Sequence, residues 1–175
     1  MTEPERRALV LPDPCLVVLV GAAGSGKSTL AARLFAADEV LSSDAYRGIV
    51  AGDEGDQRAT KVAFSILHQE LDRRLAAGRT TVVDATNVTS YARRSLVRRA
   101  TAHSMAAVAI VLDLDPAIVH ARNAARPGRV VPPAAVERQL ASLARSLRKD
   151  ELNAEGFVSI HRLLSPADIA MLTVE

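Results

Sequence analysis

The eight residues Gly21-Ala22-Ala23-Gly24-Ser25-Gly26-Lys27-Ser28 have the types and spacing to hold a polyphosphate. They satisfy the pattern G-x-x-x-x-G-K-[ST] at every fixed position. Glycines let the backbone curl until successive N–H groups converge on anionic oxygens. A helix opening directly after such a turn adds partial positive charge. Lys27 is long enough to reach the outer phosphates of a nucleotide, and the Ser28 hydroxyl suits Mg²⁺. The residues expected around the donor phosphates are Gly21, Ala23, Gly24, Ser25, Gly26, Lys27, Ser28 and Thr29.

A second group suits the other half of a phosphoryl transfer. Ser42-Ser43-Asp44 is followed three residues later by Arg47. If a helix starts here, Asp44 and Arg47 share a face one turn apart. A carboxylate can accept the proton of an attacking hydroxyl, and an Arg fork can anchor a phosphate already on the acceptor. The same residues read equally as a helix cap, with Ser43 or Asp44 in that role. Asp84 ends the run Thr80 to Val83, the position of a carboxylate that orients a metal shell. Thr86 and Asn87 then either border the site or cap the next helix. Arg122, Arg126 and Arg129 stand at spacings of four and three beside Pro127-Gly128. They read as a lid that closes over phosphates, or as a solvated basic helix end.

These residues need a frame. Leu16 to Val20 is a continuous apolar run, as in a strand buried on both faces. Lys27 to Ala37 predicts a helix, and Val40-Leu41 a short strand. Gly52 to Asp56 is an acidic turn. Gln57 to Ala77 predicts a long helix with Val62, Ile66, Leu71 and Leu75 as its apolar stripe, ended by Gly78. Thr80 to Val83 is the next strand. Ser90 to His103 reads as a helix with Arg93, Arg94, Arg98 and Arg99 on its surface. Ala106 to Leu114 is a fourth strand, and Asp115-Pro116 opens a helix. Pro132-Pro133 opens another, with Val136, Leu140, Leu143 and Leu147 inward. Phe157 to Leu163 is the fifth strand, and Ser165-Pro166-Ala167-Asp168 is a capping box before a final helix. The alternation predicts one domain over 1–175: a five-stranded parallel sheet with helices on both faces. Such sheets bind ligands beyond the carboxyl ends of their strands. Residues 1–14 form an N-terminal extension and residues 122–149 a lid region.

Bulk properties narrow the field. The 175 residues carry a formal net charge of +2, which permits a polyanionic partner without requiring one. One cysteine, Cys15, excludes an internal disulfide and reads as a small buried hydrophobe. His68, His103, His120 and His161 lack metal-ligand spacing and are read as structural. Pro12, Asp13 and Pro14 break the apolar N-terminal stretch, so no signal peptide is expected. No run is long enough to span a membrane, and a cytoplasmic location follows.

Taken together, these elements resemble the kinase module of bacterial polynucleotide kinase-phosphatase, an RNA end-repair enzyme, from Leu16 to about Ile160. The resemblance rests on Gly24 to Thr29, on Ser42-Ser43-Asp44 with Arg47-Gly48, and on Asp53-Glu54-Gly55-Asp56-Gln57. It rests also on Val82-Val83-Asp84-Ala85-Thr86-Asn87 and on Arg122-Asn123 with Arg126. It implies an adenylate-kinase-like P-loop NTPase fold and transfer from ATP, with Mg²⁺, to the 5′-hydroxyl of RNA or DNA. Asp44 is then the general base and Arg47 a clamp on the acceptor's 3′-side phosphate. Arg122 and Arg126 become lid arginines on the donor phosphates, with Gln57 close by and Ser28 and Asp84 at the metal. Phosphatase and ligase modules accompany that kinase and are not encoded here, so this is either an excised module or a free-standing relative.

Two other readings remain. A P-loop small-molecule kinase acting on a sugar, antibiotic or nucleoside needs the same loop and base but no polyanion groove. A nucleotide-binding regulatory domain without transfer needs only the loop.

Overall fold

The computed structural model describes residues 7–51 and 57–175. Its elements in chain order are β1 (Arg7–Leu9), β2 (Cys15–Val20), α1 (Lys27–Leu34), β3 (Val40–Ser42), α2 (Ser43–Ala51) and α3 (Gln57–Ala76). There follow β4 (Thr81–Asp84), α4 (Ser90–Ala102), β5 (Ala106–Leu112), α5 (Pro116–Ala124), α6 (Pro133–Arg148), β6 (Ser159–Leu163), α7 (Pro166–Met171) and β7 (Leu172–Val174). The acidic stretch Asp53-Glu54-Gly55-Asp56 and the Gln57 side chain, both part of the sequence reading, lie outside the described residues.

Five strands form one parallel sheet in the order β3-β4-β2-β5-β6. β2 lies at its centre, with Val17 opposite Val82 on one side and Val108 on the other. All six β2 residues are buried, which explains why this strand lacks polar alternation. Its side chains divide between the faces. Leu16, Val18 and Val20 pack with Leu67 and Leu71 of α3, Leu96 of α4 and Leu143 of α6. Val17 and Leu19 pack with Leu30 of α1 and with Leu9 and Leu172. Helices therefore cover both faces, as expected. Within the described residues, no helix is long and apolar enough to cross a membrane.

The strand order places the carboxyl ends of β2, β3 and β4 side by side. The glycine loop, the start of α2 and the Asp84 loop all emerge there. Ser42 pairs with Asp84 in the β3–β4 register, so the two candidate carboxylate segments leave adjacent strands together.

Three expectations change. Arg93 is fully buried and not on the surface of α4. Arg99 is half-buried against Asp72 of α3. The inward row of α3 is Ala63, Leu67, Leu71 and Leu75, whereas Val62 and Ile66 are 51% and 39% exposed. A strict i+4 row wraps slowly round the helix and follows the face that α3 turns to the sheet. Residues 7–9, read as part of an extension, form β1, which pairs in parallel with β7 as a separate two-stranded sheet.

Candidate active site

The glycine loop leaves β2 and enters α1 as the spacing predicts. Gly26 takes φ +101° at the head of α1, a left-handed conformation that glycine adopts without a Cβ clash. Gly24, at φ +88°, has a further reason to be glycine. A Cβ there would sit 2.6 Å from the Val119 carbonyl oxygen of α5. The loop is thus pressed against α5, the helix that carries Arg122.

Lys27 is buried, and its Nζ donates to the Ala22 carbonyl at 3.0 Å. Burial pushes its pKa down to about 8, against the pull of Asp84, and Arg126 lowers it further. Ser28 Oγ donates to Asp84 Oδ2 at 2.6 Å. Ser25 Oγ is buried with no hydrogen-bond partner among the described residues. The Ala23 N–H donates to Gln139 Oε1 of α6 at 2.8 Å.

A cavity of about 730 Å³ opens above this loop. Ala23, Gly24, Gly26, Lys27, Ser28 and Thr29 line its floor, and Asp84, Ala85 and Thr86 border it from β4. Ser43, Asp44 and Arg47 line the side toward α2, and Arg122, Arg126 and Arg129 the opposite side. Thr29, Arg33, Pro166, Ile169 and Ala170 extend it past α1. Of the residues expected at the donor, Gly21 and Ser25 do not line the cavity. Each supports the loop from behind: a Cβ on Gly21 would lie 2.6 Å from Ser25 Oγ.

Asp44 receives two guanidinium groups. Arg47, one turn on, pairs with its Oδ1. Arg129 Nη1 donates to the same oxygen at 3.0 Å. The capping alternative for Asp44 does not hold, because Ser42 Oγ accepts from the Ala45 N–H at 3.3 Å. Capping of α4 likewise falls to Thr89, whose hydroxyl accepts from the Ala92 N–H at 3.2 Å.

Asn87 is therefore free for a bracing role. It sits at φ +48°, and its Nδ2 donates to the Leu19 carbonyl at 2.8 Å, tying the Asp84 loop to the end of β2. Its own carbonyl accepts from Arg93 Nη1 at 3.1 Å. Arg93 also forks onto Glu155 at 2.7 and 2.8 Å and donates to Ser146 Oγ of α6 at 2.9 Å. A buried charge survives only with such complete pairing.

Asn123 shapes the arginine-bearing loop. Its Nδ2 donates to the Val131 carbonyl at 2.7 Å, and its Oδ1 accepts the Val131 N–H at 3.1 Å. This closes residues 124–130 into a loop held at both ends. Arg122 Nη1 meanwhile lies 3.5 Å from the Ser25 carbonyl. Gln139 has no signal in the sequence, and Arg129, expected over the donor phosphates, meets Asp44 instead. An Arg followed by a buried Asn at a helix end was the available signal for the loop. Nothing local marked Gln139.

The sheet order, the glycine loop and the Ser28–Asp84 pair define a P-loop fold of the kinase-like type. The family model for AAA domains, AAA_33, matches residues 16–147, and the chain belongs to that family. Among curated proteins, no sequence match is found.

Solved structures share the fold at low identity. A chain in the Pnkp1/Rnl/Hen1 RNA repair complex is 22% identical, with TM-score 0.66 over 78% of this chain and 46% of that one. The present chain thus spans under half of that neighbour's length. A sugar kinase from Janibacter sp. HTCC2649 is 23% identical, with TM-score 0.62 over 90% of each chain. A gluconokinase from Sinorhizobium meliloti 1021 is 19% identical, with TM-score 0.55 over 90% of this chain and 86% of that one. The fold supports phosphotransfer.

Proposed function

We propose that the protein is a polynucleotide 5′-hydroxyl kinase that moves the γ-phosphoryl group of ATP onto the 5′ end of RNA or DNA. One observation carries this reading: the Asp44 carboxylate and the Lys27–Ser28 cradle face the same cavity, and two arginines meet that carboxylate. An acceptor that already bears a phosphate offers Arg47 a stronger partner than Asp44. Drawing Arg47 onto that phosphate frees an Asp44 lone pair for the 5′-hydroxyl. The hydroxyl oxygen then bonds to the γ-phosphorus, its proton passes to Asp44, and the bond to the β–γ bridging oxygen breaks to leave ADP. Lys27, Arg122 and Arg126 offset the charge that builds on the phosphate oxygens.

The residues present fit Mg²⁺. Ser28 Oγ and Asp84 Oδ2 are hard oxygen donors 2.6 Å apart beside the cradle. Among the described residues no cluster of three His, Cys, Asp or Glu could cage an ion. That suits a metal held through one or two protein oxygens plus substrate phosphates. When bound, the ion would neutralise phosphate charge. Thr29, Arg33, Pro166 and Ile169 leave room for the donor base beside α1. In an end-repair system, phosphatase and ligase steps would come from other modules. The ATP requirement fits a cytoplasmic protein.

A sugar, antibiotic or nucleoside kinase is the second reading. It is favoured by the near-complete mutual coverage with the Janibacter sugar kinase, 90% of each chain. The deciding experiment offers ATP, Mg²⁺ and a 5′-hydroxyl oligonucleotide, with gluconate and a nucleoside as rival acceptors. Label on the oligonucleotide supports the polynucleotide reading. Label only on a small acceptor, with affinity that barely responds to salt, replaces it.

A further inference from the structure

Outside the cavity, α4 presents a surface that this chemistry does not use. The helix contains no acidic residue. Its inner face is Arg93, Leu96, Val97 and Ala100, and one flank meets α3 through Arg99 and Asp72. Tyr91, Arg94 and Arg98 recur at i, i+3 and i+7, so they form one outer row. Tyr91 is 82% exposed.

α6 borders the other side of this row. Ser142 Oγ donates to the Val88 carbonyl at 3.3 Å, just before α4, and Ser146 accepts from Arg93. Arg138, Arg145 and Lys149 lie three or four residues from those two serines, so they share the same edge of the helix. All three are exposed. None of Arg98, Arg138, Arg145 and Lys149 makes an ion pair or side-chain hydrogen bond among the described residues. Glu151 lies beside Arg145 and Lys149 and offsets part of their charge, while its Oε2 accepts from Ser146 Oγ at 2.7 Å.

The contact between α4 and α6 lies beside the cavity. Val88 follows Thr86, a cavity residue, by two positions, and Ser142, which bonds the Val88 carbonyl, lies one helical turn from Gln139, another. The result is a basic furrow between α4 and α6, with the exposed ring of Tyr91 on its α4 side. A furrow of that chemistry suits a single strand: bases stack on the tyrosine, and guanidiniums hold successive phosphates.

We propose that the furrow between α4 and α6 binds the single-stranded nucleic acid that trails the acceptor end. This rests on the polynucleotide reading and names a second contact for the same substrate. Tyr91 stacks on a base, and Arg94, Arg98, Arg138 and Arg145 hold the backbone.

The test is fluorescence anisotropy with a labelled single-stranded RNA of about 16 nucleotides, and the same sequence as DNA. Salt is varied between about 50 and 200 mM. Tyr91→Ala is expected to weaken binding about tenfold. Arg94→Ser with Arg138→Ser is expected to weaken it about tenfold and to lower the salt slope by about two counterions. Both variants should keep wild-type ATP affinity, since none of the three positions lines the cavity. Absence of binding by the wild type, or equal binding by all three proteins, overturns the proposal. Transfer separates it from the reading beneath it. Oligonucleotide bound through the furrow but never phosphorylated removes the kinase reading and keeps the furrow. Phosphorylation with unchanged affinity in the variants keeps the kinase and removes the furrow.

Discussion

Arg129 Nη1 lies 3.0 Å from Asp44 Oδ1, joining residues 85 positions apart across the mouth of the cavity. The loop after α5 is thereby fastened to the first turn of α2. Both side chains are about a third exposed, 30% and 34%, so solvent screens the pair and about 0.5–1 kcal/mol of coupling is expected. Arg129→Ala and Asp44→Asn should each speed amide exchange over residues 125–131, and the double variant should exceed neither. Additive effects in that cycle would mean the two act separately.

In the proposed reaction Asp44 serves the acceptor and not the donor. Asp44→Ala should lower kcat by about 10² to 10⁴ while leaving ATP affinity nearly intact. A variant that loses nucleotide binding in a direct titration assigns Asp44 to the wrong half of the reaction. Arg47→Ala should raise KM for oligonucleotides carrying a phosphate at the first linkage more than for acceptors lacking one.

Lys27 is expected to make nucleotide binding proton-linked. Its pKa sits near 8 in the free protein because it is desolvated. Phosphates beside it favour the charged form and raise that value. Binding at about pH 9 should therefore take up close to one proton, and binding at about pH 6.5 none. Calorimetry in two buffers of different ionisation enthalpy reads this directly.

The same shift affects folding. The folded value lies below the unfolded 10.5, so between about 8 and 10.5 Lys27 holds more proton in the unfolded chain and its contribution to stability rises with pH, while above about 9 the raised Cys15 thiol contributes in the opposite direction. The 2.5-unit difference corresponds to about 3 kcal/mol, recovered across that window. Lys27→Met should abolish this rise, and urea titrations at both ends of the window would expose a failure.

Arg93 and Glu155 form a doubly hydrogen-bonded pair in which both side chains are fully buried. Removing one partner leaves the other charged and unpaired, at a cost of about 3–5 kcal/mol. Glu155→Gln and Arg93→Met should each lower the urea midpoint strongly. Arg93→Met combined with Glu155→Met should recover much of the loss. A mild effect in the single variants would show that water reaches the pair.

These examples mark what the sequence makes legible. The cradle from Gly21 to Ser28 is set by local backbone demands and could be read directly. So could the caps at Asp115 and Ser165, which act within a few residues. Arg93 could not, since helical spacing reports which residues share a face and not which face meets a carboxylate 62 positions away. On α3, Ile66 looks like core by type, but Ala63 and Leu67 are the buried residues instead. The three-residue strands β1 and β7 are too short to carry a pattern, and their pairing depends on ends far apart in the chain. Gln139 and Arg129 reach the site only because α5 and α6 fold back over the loop.

Cys15 is fully buried at the start of the central strand, and burial with Asp13 and Glu39 nearby pushes its thiol up to about 11. Being the sole cysteine, it gives the molecule a native reporter of global opening. An alkylating reagent should modify it only when β2 separates from β4 and β5, so the labelling rate clocks unfolding of the central sheet without any engineered probe. Nucleotide should slow that clock in proportion to how tightly it holds the loop at the other end of the same strand.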